Sequence, residues 1–200
     1  MNFNELADKL ANNPALGHKS LLTAGVLLVL VGLGFKMAAV PFQIWAPDVY
    51  QGSPTPTTAF LSVGSKAAGV VLLMRLLGTA IPDLAFNLEK LLMAMAAGTI
   101  LYGSLCAIPQ RNLKRLLGYS SIASAGYLLL GFAVMNKSGS SAILYYLAGY
   151  LFTVLAAFTV IAVVVREAGA EDISSLAGLA QRSPLLATSL TLAMVSLAGI

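Results

Sequence analysis

The sequence predicts an all-α protein: a polytopic bundle of transmembrane helices, one of them broken by a proline. Three observations carry that reading. First, 58% of the 200 residues are hydrophobic and only 10% are charged, with a mean hydropathy of +0.84, whereas a soluble domain carries about 25% charged residues. Too few charges remain to cover a water-facing surface. Second, apolar runs recur that are long enough to cross a hydrocarbon core about 30 Å thick, which takes about 20 residues. Third, short segments of turn residues separate the runs: QGSPTPT, GTAIPD, PQRN and NKSGS. Lipid offers no partner to an exposed backbone group, so runs of this length read as helices.

Residues 1–19 are polar and mixed in charge. They read as an N-terminal loop with one amphipathic turn around Leu6 to Leu10, and they lack the basic start, apolar centre and small-residue cleavage site of a signal peptide. Residues 20–200 form the transmembrane domain, with spans near 20–46, 55–78, 88–108, 115–135, 140–165 and 184–200. Trp45 and Tyr50 close the first span as an interface belt, with Asp48 as a loop carboxylate. Ser53, Pro54, Thr55 and Pro56 read as the cap and first turn of the second span. The link REAGAEDISSLAGLAQRSP is longer than the others and reads as holding a surface helix from about Ile173 to Leu179. The sixth span stops in mid-membrane without a polar flank, so the chain reads as an internal piece of a longer protein. The densest short basic loop, QRNLKR, is expected on the cytoplasmic side, which sends the first span from outside to inside.

The net charge is +4, but the basic residues are scattered singly, without a stripe or interleaved aromatics, and this pattern is not a nucleic-acid footprint. Cys106 lies inside an apolar run and reads as a small buried hydrophobe; His18 sits in the polar leader. Neither has metal-ligand spacing around it, and no Walker loop, dinucleotide fingerprint or Ser-His-Asp arrangement occurs. The chain reads as carrying no redox cofactor of its own.

The candidate chemistry lies where charge falls inside apolar spans. Lys36 lies about 22 Å into the first span at 1.5 Å per residue, and Lys66 lies near the middle of the second. A mid-membrane lysine costs roughly 2.5–3.5 kcal/mol on insertion scales. Two on neighbouring helices call for a polar path or a partner, although a long stem also lets a lysine snorkel to an interface, the reading that suits Arg75. Pro41 cannot donate a backbone hydrogen bond and crowds the carbonyl of Met37, so the helix is expected to break just after Lys36. Gly32 and Gly34 loosen the preceding turn. The break frees carbonyls at the negative end of the half-helix, where a cation is stabilised, and discontinuous helices build ion sites in many transporters. Taking an amine out of water disfavours its charged form, so a buried lysine can change charge near neutral pH and pass protons where water links it to a neighbour. Lys36 and Lys66 are therefore the candidate proton-transfer residues, and Pro41 and Gly34 the structural residues of the break. Small residues around Lys66, Gly64 to Gly69, allow close packing and leave room for water. Ser120, Ser121, Ser124 and Tyr127 either pack with back-bonded hydroxyls or, with Ser65, line a water path.

The stretches GFKMAAVPFQIWAPDVYQGSPTPTTAFLSVGSKAAG, QRNLKRLLGYSSIASAGYLL, LAGYLFTVLAAF and SLAGI, in that order, closely resemble the antiporter-like membrane subunits of proton-translocating NADH-quinone oxidoreductase, respiratory complex I. Cation/proton antiporter proteins share the lysines and the proline, while VYQG and AGYLF favour the subunit N family. The resemblance implies a longer fold of two inverted repeats, of which this chain matches the seventh to eleventh helices and the start of the twelfth. It implies that Lys36 is the lysine of the broken seventh helix, which the family pairs with a glutamate on the fifth, and that Lys66 is the lysine of the eighth, which links the half-channels. A further family lysine, on the twelfth helix, would fall beyond Ile200. Family members often carry a histidine where this chain has Ser124, so the resemblance implies a water-bridged hydroxyl there in place of a titrating group. It places NADH, FMN, iron–sulfur clusters and quinone in partner subunits and none in this chain. The implied partners are the other membrane and peripheral subunits of complex I, the lipid bilayer, protons and water, and the implied location is the bacterial plasma membrane. Two other functions fit the residues: a subunit of a multisubunit cation/proton antiporter driven by an ion gradient, and a non-transporting membrane scaffold. Neighbouring genes for peripheral redox subunits would argue against the first, and a dry interior around Lys66 would favour the second.

Overall fold

The computed structural model describes residues 3–12, 20–134 and 137–199. Nine α-helices hold most of the described residues. They are α1 (Phe3–Asn12), α2 (Ser20–Met37), α3 (Trp45–Gly52), α4 (Thr55–Ala80), α5 (Pro82–Ala107), α6 (Leu113–Ala133), α7 (Lys137–Ala168), α8 (Leu179–Arg182) and α9 (Pro184–Leu197). Four are long and apolar enough to cross a membrane: α4, the Leu88–Ala107 part of α5, α6, and the Gly139–Ala168 part of α7. α2 and α9 are shorter apolar helices. The fold is an all-α, polytopic transmembrane bundle. Pro82 and Pro184 stand at the starts of α5 and α9, where a missing N–H costs nothing and the fixed φ suits the helix.

Two segments differ from the sequence reading. Residues 3–12, expected as a loop with one amphipathic turn, form the ten-residue helix α1. Leu10 packs against the apolar core, and burial of that side chain supplies what so short and polar a segment lacks on its own. The rest of the expected 1–19 loop, His18 included, lies outside the described residues. In the long link the expected helix from Ile173 to Leu179 is split into a 3-10 turn, Ile173–Leu176, and α8. Gly178 separates them with φ +71°, a left-handed conformation that glycine adopts at little cost.

The described residues form three apolar clusters, a small one around Val160, Val164 and Leu179 and two larger ones. One of the larger gathers Val70, Leu92 and Leu128 from α4, α5 and α6 with Leu33 and Met37 of α2. The other gathers Val63, Ile122, Ala157 and Phe158 from α4, α6 and α7 with Ala193 of α9. Along α4, Lys66 falls between Val63 and Val70, so it sits where the two larger clusters meet. α5 and α6 approach most closely through small residues. A Cβ on Gly126 would lie 2.9 Å from the Ala96 carbonyl oxygen, and one on Gly103 would lie 2.5 Å from the Ala123 nitrogen. This close backbone approach is how membrane helices gain packing energy without a hydrophobic drive.

Candidate functional site

The first apolar span is interrupted where Pro41 stands. α2 stops at Met37, and Ala38 turns left-handed at φ +58°. Its N–H donates to the Phe35 carbonyl at 3.1 Å and that of Ala39 to the Gly34 carbonyl at 2.8 Å, the paired bonds of a Schellman cap. The Val40–Pro41 peptide is cis. Thr99 of α5 accepts the Val40 N–H at 3.0 Å, and the indole of Trp45 donates to the Phe35 carbonyl at 3.0 Å. Gly34 has a packing role here, because a Cβ would lie 2.9 Å from the Phe42 ring. The chain then resumes as α3.

These contacts correct one expectation. The carbonyls at the break were to serve Lys36; the chain's own N–H groups and Trp45 take them instead. Lys36 is exposed on the outer face of the described bundle. Its stem lies along α4, with its Cγ 3.6 Å from where a Cβ on Gly69 would stand, one turn beyond Lys66.

Lys66 is in the opposite situation. It is 3% exposed and lies eleven residues into the 26-residue α4, about 17 Å from its start and so near mid-membrane. A π turn, Leu61–Ser65, immediately precedes it; such turns often mark functional positions because they re-aim the following side chain. Its ammonium donates to the Ser121 carbonyl, to Ser121 Oγ at 2.6 Å and, at 3.5 Å, to the hydroxyl of Tyr150. It also stands 5.0 Å from the centre of the Tyr150 ring, within cation–π range. Tyr150 donates to Ser121 Oγ at 3.0 Å, and Tyr50 of α3 shares a 3.1 Å hydrogen bond with the same oxygen. A hydroxyl has two lone pairs and one proton. With Lys66 and Tyr150 donating to Ser121, its own proton is left for Tyr50. Four helices thus supply one buried network, α3, α4, α6 and α7. Among the described residues Lys66 has no ion-pair partner; hydroxyls and one carbonyl surround it.

The other candidates fall around this centre unevenly. Ser124 is buried and back-bonds to the Ser120 carbonyl at 3.0 Å. Ser65 is half-buried on the π turn beside Lys66, and Ser120 is half-buried on α6. Tyr127 is exposed and joins no hydrogen bond of the network; its ring lies 6.2 Å from that of Tyr146, which in turn stacks on Tyr150 at 6.3 Å. The reading of Tyr50 as an interface belt is also corrected: it is 3% exposed, and its hydroxyl ends inside the bundle. Asp48, read as a loop carboxylate, lies in the first turn of α3 and pairs with Arg115 at 2.6 Å. Tyr50 and Tyr150 were missed as site residues. Their signal was a tyrosine within or beside an apolar span, whose hydroxyl must find a partner once buried.

A proline-broken span packed against a helix whose buried lysine has no ion-pair partner among the described residues fits the discontinuous-helix architecture of antiporter-like membrane subunits. Comparison with known proteins narrows it. The family model described as NADH:quinone oxidoreductase/Mrp antiporter, TM, matches residues 1–200, and the chain belongs to that family. A protein named NADH-quinone oxidoreductase subunit N from Desulforamulus reducens is 43% identical over 196 residues, covering 98% of this chain and 40% of the relative. One of the same name from Dehalococcoides mccartyi is 48% identical over 183 residues, covering 88% and 38%. The chain thus spans about two fifths of the length of these relatives. Among solved structures, a chain of respiratory complex I from Thermus thermophilus matches with TM-score 0.68 and 38% identity, over 86% of this chain and 37% of that one. A chain of the Mrp complex from a Dietzia species superimposes with TM-score 0.88 over 100% of this chain and 36% of that one; at 24% identity this shows the shared fold.

Proposed function

We propose that the chain is a proton-translocating segment of an NADH-quinone oxidoreductase subunit N in a bacterial plasma membrane, with Lys66 as its proton carrier. The observation that carries this is the surroundings of Lys66: a lysine near mid-membrane, with no carboxylate partner among the described residues, bonded to a serine that two tyrosines also reach. An ammonium fixed by a carboxylate would be held charged. One held by hydroxyls and a carbonyl is stabilised while charged and free to lose its proton. In the transfer step the N–H bond of Lys66 breaks and an O–H bond forms on Ser121; the Ser121 hydroxyl proton passes to Tyr50, and Tyr50 releases its own hydroxyl proton to water. Lys66, left neutral, then accepts the next proton. Lys36, one turn away across the α2–α4 contact, is the neighbouring carrier, and water completes the path between them.

The chain supplies no redox step in this proposal. NADH, FMN, iron–sulfur clusters and quinone belong to the other membrane and peripheral subunits, and their electron transfer drives the proton movement. The relatives named subunit N support this setting. The fold shared with the Mrp chain supports a second reading, a cation/proton antiporter subunit. Purifying the assembly that contains this chain and reconstituting it into vesicles separates them. NADH-driven quinone reduction coupled to proton uptake is expected. Sodium-driven proton exchange without NADH oxidation would establish the antiporter instead, and no proton movement under either drive would leave only a scaffold.

A further inference from the structure

Where α3 ends, α4 and α6 begin and α7 runs out, one buried lysine joins three segments of chain. Lys114 lies in the basic QRNLKR stretch, yet it is 3% exposed. Its ammonium donates to the Ser53 carbonyl at 2.9 Å and pairs with Glu171 of the α7–α9 link at 2.6 Å. Glu171 is fixed from its other side: its Oε2 accepts from Asn112 Nδ2 at 3.1 Å, and its carbonyl accepts the Leu113 N–H at 2.8 Å. Ser53 caps the C-terminus of α3. Its hydroxyl meets that of Thr58 at 2.7 Å, and Thr58 donates to the Tyr50 carbonyl at 3.2 Å. The neighbouring Arg115 holds α3 a second time, through Asp48 at 2.6 Å and Gln51 at 3.0 Å.

An eight-residue helix cannot hold itself in place; its position is set by what grips it. Here the grip comes from the first turn of α6. Seven residues on, the same helix presents Ser121, which the Tyr50 of α3 must reach. Lys114 and Glu171 form a largely buried ion pair, and removing one partner from such a pair is strongly destabilising. The α7–α9 link is thereby tied to the seat of α3.

We infer that Lys114 is a positioning residue for the Lys66 relay: clamped between Ser53 and Glu171, it seats α3 so that Tyr50 stays on Ser121. This rests on the reading of Lys66 as a proton carrier. The test uses the whole enzyme in vesicles, with assembly checked on native gels. The variants are Lys114→Gln, Lys114→Arg, Glu171→Gln, Tyr50→Phe, and each Gln change combined with Tyr50→Phe. Lys114→Gln and Glu171→Gln are each expected to lower proton uptake per NADH oxidised about threefold or more, and Lys114→Arg to recover most of it. Either Gln variant combined with Tyr50→Phe is expected to lose no more than Tyr50→Phe alone, because residues that act through one contact are not additive. If Lys114→Gln does not assemble, Glu171→Gln at its half-buried site carries the comparison. Losses that multiply in the double variants would overturn the proposal, since a general structural role predicts that result. Lys66→Ala in the same assay separates the two claims. If it pumps normally, the reading of Lys66 fails; if it does not pump while both Gln variants do, only the clamp fails.

Discussion

At the residue scale the account turns on Ser121, which accepts from Lys66 by both its carbonyl and its hydroxyl and also receives Tyr150. Ser121→Ala keeps the carbonyl and removes the oxygen on which three side chains converge. A buried donor left unmatched costs about 1–3 kcal/mol, so proton uptake is expected to fall about tenfold, measured as the initial rate in vesicles. Unchanged uptake would remove Ser121 from the path. Lys66 and Ser121 were both legible in the sequence, because a charge and hydroxyls inside apolar runs need a reason. Their partners were not. Tyr50 lies within WAPDVYQG, a composition that reads as a membrane interface, and only the fold-back of α3 onto α6 buries it. Tyr127, chosen with the serines, lies on the outer face, because all-apolar helices give little periodicity from which to read a face.

At the element scale the interrupted first span followed from Pro41, whose missing N–H and bulky ring act locally. The π turn of α4 at Leu61–Ser65 was not legible. An extra residue in one turn leaves no fixed composition, although Gly64 and Ser65 fall within the turn before Lys66. The helicity of α1 was missed for a related reason, since it depends on where Leu10 lands. The α5–α6 contact gives a stability prediction. At Gly126 the neighbours of an added side chain include the Ala96 carbonyl oxygen at 2.9 Å and the Ile100 nitrogen at 2.9 Å, and backbone atoms cannot move aside as a flexible side chain would. Gly126→Val is expected to cost about 2 kcal/mol or more, seen as loss of this subunit from the assembly at a lower temperature than wild type. An unchanged dissociation temperature would mean that the two helices are not packed this closely.

At the scale of the whole molecule, composition alone gave the membrane class, because a chain with 10% charged residues cannot cover a water-facing surface. The order of spans and turns gave the bundle. The way its faces meet was not legible: two apolar clusters join at Lys66 only because α4, α6 and α7 cross there. Large apolar side chains such as Phe35, Phe60, Leu101 and Phe152 point outward, as expected where the surroundings are lipid or further protein. The central claim is that a proton passes through Lys66 during turnover. The direct test is the number of protons moved per NADH oxidised by the whole enzyme carrying Lys66→Ala in this chain. An assembled enzyme is expected whose ratio falls below that of wild type. An assembled enzyme with wild-type ratio and rate would contradict it.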